Sequence, residues 1–111
     1  MKISRLYTGK DGQSHFEEMP IGSTPSLGVL QKTTGIMFRE EKPGNFQDWH
    51  PAPRRQWVII IKGELEIGLG DGSFWKFKEG DARLVEDTTG NGHTTRTISK
   101  ESSIVAYVPL V

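Results

Sequence analysis

Two histidines, His50 and His93, each sit in a short frame of turn-forming residues. The first frame reads Trp49-His50-Pro51-Ala52-Pro53-Arg54-Arg55-Gln56 and closes on Gly63. The second opens at Gly80-Asp81 and ends Thr88-Thr89-Gly90-Asn91-Gly92-His93. A neutral imidazole is both a hydrogen-bonding base and a metal ligand, so two rings brought together can do either kind of chemistry. On extended backbone, residues at even spacing share a face, which puts His50, Ala52, Arg54 and Gln56 on one side. The Gln56 amide offers a donor and an acceptor for orienting a bound molecule. The Arg54 fork suits a carboxylate, and Trp49 beside His50 is a candidate pocket wall for a ring. The plainer alternatives are rim histidines bonded to backbone, a glutamine bonded to the next strand and an arginine exposed on a loop.

These groups need a scaffold, and the chain between and around them reads as short strands. The 13 glycines and 6 prolines fall mostly between brief apolar runs. The longest stretch without either, His93 to Val108, is rich in β-branched residues and broken at Lys100-Glu101-Ser102-Ser103, which favours two strands over a helix. Gln56 to Lys62 is apolar on both faces and predicts a central, doubly covered strand. Leu65, Ile67 and Leu69 alternate with Glu64, Glu66 and Gly68, a period of two with one wet face. Asp71-Gly72 is the strongest hairpin signal, and Trp75 and Phe77 alternate on the return strand. Thr34 to Arg39, Arg83 to Glu86, Thr94 to Ser99 and Ser103 to Leu110 complete the expected set. Trp57 and Trp75 are expected in the core. Two prolines in three positions place His50 at a strand entrance, and the Gly-Asn-Gly turn places His93 at another. The fold class is therefore all-β, a single-domain antiparallel barrel or sandwich. Residues 34–111 form the barrel. Residues 1–33 read as an N-terminal arm that packs on the barrel or on a partner subunit, with one strand expected at His15 to Met19.

Composition narrows the functions. At 111 residues the chain has room for one core. The 14 basic and 14 acidic residues cancel, which argues against nucleic acid or an anionic membrane as partner. The absence of cysteine excludes disulfides, thiolate metal sites and cysteine nucleophiles. No apolar run follows the N-terminal residues as a secretion signal would require, and none reaches the roughly 20 residues of a membrane span. A cytoplasmic protein is expected.

The framed histidines resemble those of the cupin family. Its first motif runs G-x5-H-x-H-x3,4-E-x6-G, and here His50 matches the leading histidine, Gln56 the glutamate and Gly63 the closing glycine. Its second runs G-x5-P-x-G-x2-H-x3-N, in which Gly90 and His93 keep the G-x2-H spacing while Thr88 and Thr97 replace proline and asparagine. The resemblance spans about residues 35–110 and implies a jelly-roll β-barrel. It also implies a metal set on His50, His93 and Gln56, with Ala52 where the family has a further histidine. His15, Asp48 or Asp87 would have to supply any replacement ligand. A divalent ion (Fe, Mn, Ni or Zn) is the cofactor in question.

Three functions are open on this reading. The first is a binding protein whose barrel holds a small polar or anionic metabolite on His50, His93, Gln56, Arg54 and Trp49. The second is a metal-dependent enzyme (isomerase, lyase, decarboxylase or dioxygenase), with the ion on His50 and His93 acting as a Lewis acid. The third is an interaction protein with a vestigial pocket. A homodimer is expected, because the apolar C-terminal strand Ile104 to Val108 would otherwise present an uncovered edge.

Overall fold

The computed structural model describes residues 1–111. Ten strands follow in order: β1 (Ile3–Thr8), β2 (Ser14–Glu18), β3 (Met37–Glu41), β4 (Phe46–His50), β5 (Gln56–Lys62), β6 (Glu64–Gly68), β7 (Phe74–Lys78), β8 (Ala82–Val85), β9 (His93–Thr97) and β10 (Ser103–Pro109). Two short 3-10 turns, Ile21–Ser23 and Pro25–Gly28, are its only helical segments. No helix is long and apolar enough to cross a membrane. The strands form a six-stranded sheet in the order β2-β1-β8-β5-β10-β3 and a four-stranded sheet in the order β4-β9-β6-β7.

The two sheets pack face to face as a jelly roll. Leu6, Val58, Ile60, Val85 and Val105 from the larger sheet meet Leu65, Ile67 and Phe77 from the smaller in one buried cluster. The period-two pattern explains this side of each strand: Leu65 and Ile67 bury while Glu64 and Glu66 stay half-buried on the other face. Phe16 and Trp75 close the end of the core, with ring centroids 5.0 Å apart. The Asp71-Gly72 turn joins β6 and β7 as predicted, its Asp71 carboxylate accepting bonds from the Ser73 backbone and hydroxyl.

Four expectations need correction. β5 is central, but only its inner face is buried; Trp57 is half-exposed on the outer face, its indole donating to Gln31 at 2.8 Å rather than entering the core. β10 lies between β5 and β3, so it presents no edge; the edge is β3, with Phe38 exposed. His50 ends a strand, β4, instead of starting one. Pairing is antiparallel except between β1 and β8, which run parallel from Ile3↔Ala82 to Leu6↔Val85. Within residues 1–33, β1 and β2 make a hairpin that extends the larger sheet, and β2 lies within a residue of the expected strand.

Candidate functional site

The end of β4 lies against the start of β9, and His50 and His93 are direct cross-strand partners. Their ring centroids are 4.7 Å apart with the planes inclined at 54°. The register of β4 shifts between Gln47 and His50, so these residues, three apart, both reach the same cavity. Gly92, at φ 74°, brings the chain so close to the His50 carbonyl that no side chain fits between.

Each ring is oriented through its Nδ1. His50 Nδ1 donates to the Asp48 carbonyl at 2.6 Å, and His93 Nδ1 to Asp87 Oδ2 at 2.6 Å. The same Asp87 oxygen accepts from the Ser14 hydroxyl at 2.6 Å, so the N-terminal hairpin anchors the carboxylate that sets the His93 ring. The Ala52 N–H donates to the Asp87 carbonyl at 2.9 Å, tying the segment after His50 to the same residue. In the neutral ring a donating Nδ1 leaves Nε2 as an acceptor, and both rings line the cavity.

The cavity holds about 270 Å³ and is bounded by both sheets. Beside the histidines its wall carries Gln56, Arg54, Arg39 and Arg83, and it contains no Asp or Glu. Gln56 is buried, and its Oε1 has no partner within the chain. Arg54 is exposed at the mouth. Trp49 is half-exposed and lies outside the lining, so the structure does not bring it to the others. Of the other residues considered as ligands, Asp87 serves as the partner of His93, His15 pairs with Asp11 on the surface, and the exposed Asp48 contributes its carbonyl to His50.

Arg83 is the residue that sequence reasoning did not select. It faces inward from β8, 4% exposed, and its Nε and Nη1 have no hydrogen-bond partner. Its guanidinium lies over the Phe77 ring at 5.3 Å. Burial pushes its pKa down to about 10, against the opposing pull of Tyr107 and Asp87. The available signal was a lone charge inside the apolar run Ala82-Arg83-Leu84-Val85, at the inward position two before Val85.

Burial also lowers the His93 pKa, outweighing the hydrogen bond and charge of Asp87, while Arg83 and His50 push it further down. The folded protein therefore holds His93 neutral where the unfolded chain, near the ordinary 6.5, takes up a proton. This contribution is fully present above pH 6.5 and is lost as pH falls toward the folded value. The depressed carboxylate of Glu86, desolvated but held down by Arg5 and Arg55, begins to act only below about 4.5. Urea midpoints should accordingly fall between pH 7 and pH 5, and His93→Gln should flatten that slope; an equal slope in the variant would exclude His93 as its source.

No family model matches the chain, and no curated protein sequence matches it at a significant level. Solved structures do. The Cnp3 cupin domain of Schizosaccharomyces pombe is 17% identical over 99% of this chain and 83% of that one, with a TM-score of 0.58. A conserved protein with a double-stranded β-helix domain from Klebsiella pneumoniae is 24% identical over 74% of this chain and 71% of that one, at TM-score 0.55. A cupin 2 conserved barrel domain protein from Salinispora arenicola is 18% identical over 68% of this chain and 61% of that one, also at 0.55. The chain has the cupin fold.

The motif resemblance implies a metal, for which His50, His93 and Gln56 would be the donors. They do not suit one. Two neutral imidazoles and an amide bring no negative charge, and Ala52 presents a buried methyl where a third imidazole would stand. No three His, Cys, Asp or Glu side chains come together as a ligand set. The buried Arg83 cation faces the same cavity and opposes a second positive charge.

Proposed function

We propose that this protein binds a small organic anion in the cavity, without a resident metal and without turnover. The observation that carries the reading is Arg83, a buried cation with two unpartnered nitrogens, on the wall of a cavity lined by two further arginines and no carboxylate. A buried charge left unpaired costs several kcal/mol, and a carboxylate bound in the cavity would bring the opposite charge to Arg83. Arg83 would then supply the positive charge that a metal supplies elsewhere on this scaffold. The volume of about 270 Å³ limits the ligand. At about 30 Å³ per water it equals roughly nine waters, the size of a small carboxylic acid.

The test uses untagged, chelator-treated protein, titrated with small mono- and dicarboxylic acids and, separately, with Fe²⁺, Mn²⁺, Ni²⁺ and Zn²⁺. Saturable binding of acids is expected, raising the melting temperature by roughly 10 °C or more at a hundredfold excess over Kd. Stoichiometric metal uptake with no response to any acid would overturn the reading.

A further inference from the structure

The anion reading leaves the two imidazoles without an assigned task, and their hydrogen bonds define one. The Asp48 carbonyl and the Asp87 carboxylate can only accept, so both rings carry their proton on Nδ1. With both rings neutral, the cavity wall carries two acceptor nitrogens, His50 Nε2 and His93 Nε2, on rings 4.7 Å apart. A third acceptor, Gln56 Oε1, is buried and unbonded on the same wall. Arg83, on the wall of the same cavity, is a donor that cannot accept. A plain carboxylate satisfies Arg83 and leaves the acceptors bare.

We infer that the ligand is a hydroxy-substituted carboxylic acid, its carboxylate held by Arg83 and its hydroxyl protons received by the His50 and His93 Nε2 atoms. This inference rests on the anion reading above and adds the donor requirement. The discrimination has a physical basis: a site that receives a hydroxyl proton binds the analogue lacking it less tightly, because the ring acceptors then lose that partner. The pairing is directional, since Asp87, fixed by Ser14 on one side, holds the His93 ring in the tautomer that receives.

Succinate, malate and tartrate share a four-carbon diacid frame and carry none, one and two hydroxyls. Calorimetric titration of the chelator-treated protein should rank them tartrate, malate, succinate, with about a fivefold gain in affinity for each hydroxyl. His50→Phe, which keeps a ring at the half-exposed rim but removes its nitrogens, should reduce the preference for tartrate over malate. In the unliganded protein, two-bond proton–nitrogen correlation spectra should show both imidazoles as Nδ1–H tautomers with a pyridine-like Nε2. Equal affinities for the three acids, or an Nε2–H tautomer on either ring, would overturn the donor requirement while leaving anion binding intact. Failure of all three acids to bind would overturn the anion reading and this inference with it.

Discussion

Arg83→Met is expected to melt at a higher temperature than the parent protein while losing its affinity for carboxylic acids. These opposed effects have one cause. In the unliganded protein the guanidinium is buried with Nε and Nη1 unbonded, and replacing such a charge with an apolar side chain of similar length removes its desolvation cost. Buried charges exchanged in this way give gains of about 1–4 kcal/mol. The lower half of that range is expected here, because the contact with Phe77 at 5.3 Å is lost as well. In the complex the same substitution strips a buried carboxylate of its partner, an effect of about 2–5 kcal/mol, or at least roughly thirtyfold in Kd. Arg83→Lys keeps the charge but not the fork and should fall between the two. Thermal melts and calorimetry on the three proteins decide the matter. A destabilised Arg83→Met that still binds acids would show the arginine to be a structural strut.

Gly92→Ala should be among the most damaging single-methyl changes in the chain. At φ 74° an alanine is already strained, and its Cβ would overlap the His50 carbonyl and the Pro51 nitrogen, both backbone and unable to swing aside. Strain and overpacking together predict a loss of about 3–5 kcal/mol. The damage falls where β4 meets β9, so any folded remainder should also bind acids poorly. Gly72→Ala is the matched control: its φ is 86°, yet no atom lies within 4 Å of the added methyl. It should cost only the conformational strain, about 1–2 kcal/mol. Denaturant titration of both variants gives the comparison, and equal losses would mean that close approach to His50 is not the reason for glycine at position 92.

Where the sequence could be read and where it could not follows from how each residue gets its neighbours. β5, β6 and β7 are legible because their apolar spacing and the Asp71-Gly72 turn are local properties. β4 is not, since Phe46 to His50 is exposed nearly throughout, and only its ladder with β9 makes it a strand. β1 hides for the opposite reason: Ser4 occupies a fully buried inward position and breaks the alternation that Leu6 would otherwise reveal. The histidine pair could be found from its two frames. Asp87 could be named as a candidate ligand but not as the partner that orients His93, and Ser14 could not be joined to it, because it comes from a segment that meets Asp87 only in the folded molecule. Arg83 is one of three arginines, with Arg39 and Arg96, that fall near expected strand ends, and nothing in the sequence selects among them. Its burial depends on β5 and Phe77, neither adjacent in sequence.

The parallel union of β1 with β8 has a consequence for how the chain is made. The first strand ends at Thr8, and its lateral partner does not begin until Ala82. At about 5–20 residues per second, synthesis leaves roughly 4–15 s in which β1 has emerged without that neighbour. During that interval the β1–β2 hairpin must shelter Leu6 on its own. Slow translation over the middle of the message would lengthen the wait, leaving the newborn chain more vulnerable to clumping than the finished protein.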